Sequence, residues 1–384
     1  MTQASDFFDR RREWSRWKHE LLRRYLPKFA GILGSRHSTV YYVDAFAGAG
    51  TYDGNPPVAG SPIIAATLGE AIAQGKWKYE LRCINVEPHS RHFQELCDAT
   101  STYPLIENLR GTFKERLSEI LAKASTYPTL LFIDPFGYKG MEWDAMARMA
   151  ERARAAKTEL LINFQSPKVD RSAGWLDSYG QPAQASFVDS LNELMGTDEW
   201  QPIIHAGLPK DERDAQLTNL YAGRLANLFK GIVSRYPVRT LHGQLKYYVL
   251  HVTGHQRGCR EMSDVIYRVE EDYISERERA TASPQRQLAF DDILSPPLTP
   301  DQIDANIAAR LADDIYLLGK SRRQMRFGTI QDQLTTTDWF GQALEKHYRR
   351  ACRLLIEAGK IAKPAGRAID DGTVLTFICR FTDR

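Results

Sequence analysis

The chain has 384 residues, of which 43% are hydrophobic and 26% are charged, and this composition excludes a disordered or collagen-like protein. Its formal net charge of +3 is close to neutral, so any surface for nucleic acid must come from local clustering of basic residues. The five cysteines are scattered without a CxxC motif, which excludes a disulfide framework and a cysteine-rich metal site. No apolar run approaches the ~18 residues of a membrane span, and the first residues contain no apolar signal segment, so we expect a cytoplasmic protein.

Helices and strands alternate through the first 164 positions of the sequence. Apolar residues at spacings of three and four predict a helix over residues 10–26, and Pro27 predicts a second, short helix after it. Runs of β-branched and aromatic residues predict strands over 39–46, 81–87, 105–111, 129–134 and 159–164. Helices predicted between these strands indicate a parallel sheet that is covered on both faces.

The second half of the sequence changes character twice. Residues 168–240 are polar and helical in pattern, without a further strand, and we interpret them as a helical insertion. A strand is predicted over 245–252, followed by a helix or last strand over 262–269. Charge and proline dominate 276–299, which is typical of a linker. Three helices (300–317, 329–334 and 338–358) and two strands around an Asp371–Gly372 turn then predict a winged helix-turn-helix over 300–384.

The first strand ends in the turn DAFAGAG, residues 44–50. Gly48 and Gly50 let the backbone approach a ligand closely, as in Rossmann-type cofactor sites. The third glycine of the dinucleotide fingerprint is absent, and Asp44 would repel a pyrophosphate. A carboxylate suits a cationic cofactor instead, and S-adenosylmethionine carries an ammonium and a sulfonium. Asp44, Phe46, Gly48 and Gly50 are therefore candidate cofactor-binding residues; the alternative is a tight turn with a solvated aspartate.

Two further segments are candidates for the same cofactor. Glu87 ends the second strand, where an acidic residue can hydrogen-bond ribose hydroxyls, although an isolated glutamate there can equally be a helix cap. Thr112 and Phe113, in the segment RGTFKE, follow the third strand and are placed to contact the adenine, unless this segment is an ordinary loop.

The motif FIDPFG, residues 132–137, is the most specific feature of the sequence. It places Asp134, Pro135 and Phe136 at the carboxyl end of a strand, where open α/β sheets bind ligands. The Asp134 carboxylate and the Pro135 carbonyl can accept the two hydrogens of an exocyclic amino group, and Phe136 can stack on an extruded base. These three residues are the catalytic candidates, Asn163 would line the same mouth, and the alternative is a strand-terminating turn.

These motifs, together with WKHELLRRYL, GSPIIA, LLINFQ and YYVLHVTGHQRG, resemble the three-Cys-motif partner protein family, TcmP, over roughly residues 14–270. The resemblance implies an S-adenosylmethionine-dependent methyltransferase with a Rossmann-like sheet of the class I methyltransferase type over 37–275. The basic helices predicted from the residue pattern occupy 1–36 before it. The resemblance also implies a radical-SAM-type protein with three cysteines as a partner. The signature lysine of the family falls on Lys18, for which a solvated helix residue is the alternative.

Basic residues are concentrated in the carboxyl-terminal module, where eleven Lys or Arg and four acidic residues lie between positions 320 and 367. The last predicted helix carries four of them on one face, as a recognition helix would, and the hairpin beyond it would be the wing. The predicted nucleic-acid contacts are Lys346, Arg349, Arg350, Arg353 and Lys363. A winged helix used only for protein contacts is the alternative.

In the linker, QRQLAF matches the loose pattern Q-x-x-L-x-F of peptides that bind the sliding clamp, through Gln285, Leu288 and Phe290. The alternative is a linker segment that docks on its own domain.

The sequence as a whole favours a methyltransferase acting on a base amino group of nucleic acid, DNA rather than RNA, in modification or DNA repair. A non-catalytic binding partner with a degenerate methyltransferase fold is the second hypothesis. A nuclease is the third, because Asp44 and Asp134 could mimic a paired-acid site, although we expect no bound metal.

Overall fold

The structure is a computed structural model that describes residues 3–54, 57–135, 137, 140–174, 181–240, 243–281, 298–366 and 368–378. Within these ranges only the backbone is described for 3–15, 172–174, 181–184 and 276–281. The chain divides into two compact units, Met1–Gly258 and Cys259–Arg384. None of the described helices is both long enough and apolar enough to cross a membrane.

The first unit is built from alternating helices and strands. Its first half contains α1 (Gln3–Gly34), β1 (Thr39–Asp44), β2 (Thr51–Tyr52), β3 (Val58–Ala59), α2 (Ser61–Gln74), β4 (Glu80–Glu87), α3 (Ser90–Thr100), β5 (Ile106–Arg110), α4 (Phe113–Ala124), β6 (Thr129–Ile133), α5 (Trp143–Ala155) and β7 (Thr158–Phe164). Its second half contains α6 (Ser166–Gly174), α7 (Gln181–Met195), α8 (Trp200–His205), α9 (Lys210–Phe229), β8 (Ile232–Arg239), β9 (Leu245–Thr253) and the start of α10 (Gln256–Thr281).

Seven strands form one sheet in the order β5-β4-β1-β6-β7-β9-β8. All neighbouring pairs from β5 to β7 are parallel, whereas β9 runs antiparallel to both β7 and β8. This order with one reversed strand is the arrangement of class I methyltransferases, so the predicted fold class is confirmed for the sheet of this unit. The chain moves outward in one direction from β1 to β5 and in the other from β6, which creates a topological switch point between β1 and β6.

Two predictions about the first unit are wrong in detail. Pro27 does not start a second helix but lies inside α1. The helix continues through it because Leu21, Tyr25, Leu26 and Phe29 are buried, and this packing outweighs the cost of one missing backbone hydrogen bond.

The predicted helical insertion also ends earlier than expected, because β8 occupies its last residues. Tyr236–Pro237 obscures the strand in the sequence, since proline cannot donate to a sheet ladder. The structure tolerates it because β8 is the edge strand. Residues 262–269 belong to α10, which also includes residues 276–281 of the predicted linker.

The helices of the insertion stabilise the carboxyl end of β7. Tyr221 of α9 stacks on Phe164 with ring centroids 4.6 Å apart and an interplanar angle of 10°, and both side chains are fully buried. Trp143 of α5 meets Tyr221 edge to face. The end of β7 that carries Asn163 is therefore stabilised by packed aromatic rings.

The second unit continues from α10 with α11 (Pro300–Lys320), β10 (Gln324–Arg326), α12 (Phe327–Thr335), α13 (Glu345–Glu357), β11 (Ile361–Ala362) and β12 (Val374–Phe377). The three strands form an antiparallel sheet in the order β10-β12-β11. Its core includes Leu311, Phe327, Tyr348, Leu355 and Leu375. Strand β10 was not predicted, and α13 begins seven residues later than expected because turns occupy 336–342.

Gly196 provides a test of the packing between the insertion and α5. It follows α7 with φ +66°, and a Cβ atom there would lie 2.4 Å from the Trp143 ring. We expect Gly196→Ala to lower the free energy of unfolding by ~1–3 kcal/mol, because both the backbone and the contact become strained. Urea unfolding of the full chain followed by tryptophan fluorescence would measure it.

Gly223→Ala is the matched control, because Gly223 lies within α9 and has open space around its Cβ position. It should raise the free energy of unfolding by up to ~1 kcal/mol through helix propensity. Equal effects of the two substitutions would contradict the contact with Trp143.

Candidate active site at the carboxyl ends of the sheet

Four polar side chains end adjacent strands at the switch point of the sheet. Asp44 ends β1, Glu87 ends β4, Asp134 directly follows β6, and Asn163 lies near the end of β7. The strands run parallel, with Asp44 opposite Phe132 and Ile133 opposite Ile162, so all four residues lie at the same edge. The structure therefore brings together the main residues that the sequence singled out.

Asp44 is fully buried and held by hydrogen bonds. Its carboxylate accepts from the Phe46 amide at 3.2 Å and the Tyr42 hydroxyl at 3.2 Å, and the Ser61 side chain also bonds to it. Burial raises the pKa of Asp44 to about 6, and the nearby Asp134 adds to the rise, although these hydrogen bonds oppose it. Asp44 is therefore not a solvated turn residue, and its negative charge is costly in the absence of a cation.

The glycine turn is tied to Glu87. Gly48 and Gly50 have φ of +61° and +80°, a conformation that glycine adopts without strain. The Gly48 amide donates to Glu87 Oε2 at 3.0 Å, and the His89 amide donates to Oε1 at 2.7 Å. No described atom lies within 4 Å of the position that a Cβ atom of Gly48 would take, so this backbone is open to a ligand.

Asp134 is held between two side chains from different elements. Asn163 Nδ2 donates to Asp134 Oδ1 at 2.9 Å, and Lys18 Nζ of α1 forms an ion pair with Oδ2. The side chains of Lys18 and Asp134 are only 16% and 14% exposed, so Lys18 is not a solvated helix residue. Burial alone would lower the pKa of Lys18, but Asp134, Tyr52 and Asp44 outweigh it and raise the pKa above its ordinary value.

An aromatic pair that the sequence analysis missed lies beside this ion pair. The rings of His19 and Tyr52 are 5.2 Å apart at an angle of 49°. Burial and the neighbouring Lys18 charge lower the pKa of His19 to about 3, so its ring is neutral. Tyr52 of β2 is 45% exposed. His19 follows Lys18 directly in the chain, whereas only the fold brings Tyr52 close to both residues.

The other predicted residues of this edge have different outcomes. Pro135 is buried, and Phe136 lies outside the described residues. Phe113 is a core residue with its ring against Phe46, and the Thr112 hydroxyl caps α4 by accepting from the Glu115 amide. Both side chains therefore have structural roles, and their contact with the adenine stays a prediction. The T-x-x-E pattern of a capping box was the sequence signal for the structural role of Thr112.

The predicted nucleic-acid contacts of α13 are mostly engaged within the second unit. Lys346 pairs with Asp304, Arg350 pairs with Asp301, and Arg349 pairs with Glu345 of its own helix. Arg353 is exposed and Lys363 is half-buried. Asp301 and Asp304 of α11 therefore pair with the basic face of α13 that was predicted to contact nucleic acid.

A second basic segment of this unit was overlooked in the sequence. Four exposed cations lie within seven positions at the end of α11 and along β10, and no acidic residue occurs between Asp314 and Asp332. These residues, which we call the basic strip, are Lys320, Arg322, Arg323 and Arg326. Arg322 donates to Gln333 at 2.7 Å and forms no ion pair among the described residues.

Among the described residues, no group of three or more His, Cys, Asp or Glu side chains is arranged to hold a metal ion. Asp44 and Asp134 do share the candidate site, but the cation beside Asp134 is Lys18.

Comparison with solved structures returns distant likenesses. The chain is 12% identical to protein LPL1258 from Legionella pneumophila (TM-score 0.38, covering 62% of this chain and 84% of that one). It is 13% identical to an O-methyltransferase from Bacillus cereus in complex with S-adenosylhomocysteine (TM-score 0.32, 62% and 80% covered) and 8% identical to the plantazolicin methyltransferase BamL (TM-score 0.32, 65% and 90% covered). No family model and no curated protein matches the sequence. The class I methyltransferase arrangement therefore rests on the strand order of this chain itself.

The raised pKa of Asp44 predicts a pH-dependent cost in stability. The folded state binds the Asp44 proton more tightly than the unfolded state, so stability falls as pH rises towards about 6. We expect Asp44→Asn to remove this dependence, and the unfolding free energy of the variant relative to wild type should increase by about 1 kcal/mol between pH 5 and 7.5. Urea unfolding at both pH values would measure the difference, and a constant difference would contradict a buried, titrating Asp44.

Proposed function

We propose that this protein is an S-adenosylmethionine-dependent methyltransferase that modifies an exocyclic amino group of a nucleic-acid base. The observation that carries the proposal is the convergence of Asp44, Glu87 and Asp134 at the switch point of a class I methyltransferase sheet. Ligands of open α/β sheets bind at this point, outside the carboxyl ends of the strands.

The donor set fits this cofactor. Glu87 is fixed by two backbone amides at the end of β4, where a carboxylate can accept from ribose hydroxyls. The open backbone at Gly48 can approach the cofactor closely, and the costly buried charge of Asp44 would be stabilised by the ammonium and sulfonium. The bound cofactor would supply an activated methyl group.

Asp134 is suited to orient the acceptor. Its carboxylate and the Pro135 carbonyl can accept both amino hydrogens, which directs the nitrogen lone pair at the methyl carbon. The cofactor would supply the methyl group for the new C–N bond and keep the C–S bonding pair as a neutral thioether, and Asp134 would take up the surplus proton of the methylated nitrogen. Asp134 therefore acts after the acceptor is placed and contributes little to cofactor binding.

The second unit supports a nucleic-acid substrate. We interpret its alternation of three helices and three short strands as a winged helix-turn-helix, and its basic strip is exposed. The resemblance to TcmP adds a three-Cys-motif radical-SAM-type partner, and the proposal includes DNA rather than RNA as the substrate, in modification or DNA repair. The clamp-binding peptide with Gln285, Leu288 and Phe290 belongs to the same proposal, but these residues lie outside the described residues.

Cofactor binding and methyl transfer should respond to different residues. We expect Glu87→Gln to weaken S-adenosylmethionine binding about tenfold, because a charged hydrogen-bond acceptor is lost. Asp134→Ala should leave this affinity within a few fold but reduce methyl transfer on the order of 10²-fold or more. Isothermal titration and tritium transfer from labelled cofactor into mixed cellular DNA and RNA would measure the two effects.

Glu80→Gln is the control for Glu87, because Glu80 lies at the opposite end of the same strand and bonds to Arg82. If the wild type does not bind S-adenosylmethionine, the methyltransferase proposal is wrong, and the hypothesis of a non-catalytic binding partner replaces it. Full transfer by Asp134→Ala would refute the amino-directed mechanism even if methylation occurs.

Nucleic-acid binding should depend more on the basic strip than on α13. A phosphate contact releases counterions, and each one contributes about 0.9 to the slope of log affinity against log salt. We expect the triple variant Arg322→Ala/Arg323→Ala/Arg326→Ala to reduce that slope by about 2 to 3, with similar losses on all sequences. Fluorescence anisotropy with labelled duplex DNA at several salt concentrations would measure it.

The matched triple variant Lys346→Ala/Arg349→Ala/Arg350→Ala removes three cations that are already paired with carboxylates. It should change the slope by less than about 1. If the α13 variant has the larger effect on the slope, the nucleic-acid interface lies on the predicted recognition helix. If neither variant changes the slope, this unit does not bind nucleic acid.

A further inference from the structure

We propose that the acceptor subsite is the position now held by the Lys18 ammonium, and that it takes an uncharged primary amino group on a planar ring. This inference deepens the proposed function and rests on it for the identity of the reaction. It names the groups that recognise the acceptor and assigns Lys18 as the residue that occupies the subsite before the acceptor enters.

Asn163 supplies the observation that points to a missing ligand. Its side chain is 1% exposed, its Nδ2 is used by Asp134, and its Oδ1 has no hydrogen-bond partner among the described residues. The opposite amide orientation would place two oxygens against each other, so the assignment follows from charge. A buried amide oxygen without a donor costs free energy, which a donor from a ligand would recover.

Asp134 Oδ2 can accept one hydrogen of an amino group, and the Asn163 oxygen, which Lys18 leaves without a donor, would accept the other in place of the Pro135 carbonyl. Lys18 Nζ already donates to Asp134 Oδ2, as an acceptor nitrogen would. An ammonium nevertheless has no lone pair and cannot accept a methyl group. Because Asp134 and its neighbours raise the pKa of Lys18, this group stays protonated and acts neither as a base nor as the methyl acceptor.

The walls beside this position suit a flat ring. Tyr52 contributes an exposed aromatic face, and the neutral His19 ring lies 5.2 Å from it. Stacking of a base on such a side chain is worth ~1–3 kcal/mol without regard to base identity. Recognition of the amino group therefore determines which acceptor binds, and stacking on Tyr52 and His19 adds affinity without selecting the base.

Lys18 can leave without disturbing the helix. Its ammonium is carried by a flexible four-carbon stem, so a side-chain rotation is sufficient. In the free protein it neutralises a nearly buried carboxylate, which would otherwise be costly. The acceptor must compete with Lys18 for Asp134, so Lys18 weakens the binding of every acceptor that uses this carboxylate.

The test uses pairs of nucleosides that differ by one amino group. Adenosine is compared with purine riboside, and guanosine is compared with inosine, by titration into the full-length protein with and without S-adenosylhomocysteine. For at least one pair, we expect Lys18→Ala to bind the amino member about tenfold more tightly than wild type does. The same variant should prefer that member over its partner by about tenfold.

Two further variants separate recognition from folding. Adding Asn163→Leu to Lys18→Ala should abolish the preference, because the second acceptor oxygen is lost. Arg23→Ala should behave as wild type, because Arg23 is on the same helix but its ion pair is with Glu20 at the surface. If Lys18→Ala does not fold, Lys18→Met removes both the charge and the hydrogen-bond donor at similar length and should give the same preference.

The outcomes distinguish this inference from the proposed function. Equal affinity for both members of each pair, or affinity that does not change when Lys18 is replaced, would overturn the subsite even if the cofactor binds. An amino preference that depends on Asn163 would support the subsite even if S-adenosylhomocysteine fails to bind, and would then leave only the methyltransferase reaction refuted.

Discussion

The ion pair between Lys18 and Asp134 is the contact on which the arrangement of the candidate site depends. Asp134 lies at the centre of the sheet edge and is nearly buried, and a carboxylate in such a place is costly unless a cation compensates it. The compensating cation comes from α1 and not from the sheet, so the amino-terminal helix is part of the site. Removing either partner alone would leave a buried charge without compensation.

The same edge retains charge that the fold does not neutralise. Asp44 is buried and forms no ion pair among the described residues, and burial raises its pKa to about 6. Asn163 adds an amide oxygen with no donor among the described residues. Structures keep such costs where a ligand recovers them, and the two groups call for a cation and a hydrogen-bond donor respectively. These are the chemical features of the proposed cofactor and acceptor.

The sequence predicts the parts of this site that depend on local order. Strands that end in Asp44, Glu87 and Asp134 converge because parallel strands share one edge, and alternating elements were enough to indicate that. The sequence could not predict contacts between distant positions: Lys18 and Asp134 are 116 residues apart, and Lys346 and Asp304 are 42 residues apart. The second pair matters as much as the first, because a helix that looks basic along its own length is neutralised by another helix. Pro27 and Pro237 misled the prediction because burial in one case and an edge position in the other outweigh their local preference.

A second polar cluster explains how α1 can carry a replaceable side chain. Tyr25 donates to the Glu159 carboxylate at the start of β7, and His251 and Thr253 of β9 bond to the same carboxylate. Burial alone would raise the pKa of Glu159, but these hydrogen bonds outweigh it and hold the pKa below its ordinary value, so the carboxylate stays ionised. Tyr25 lies two helical turns from Lys18, ~10 Å along the axis, and is bound at the edge opposite the candidate site. Because this anchor does not involve Asp134, α1 keeps its place when Lys18 gives up its ion pair, and the exchange at the acceptor subsite requires only the movement of one side chain.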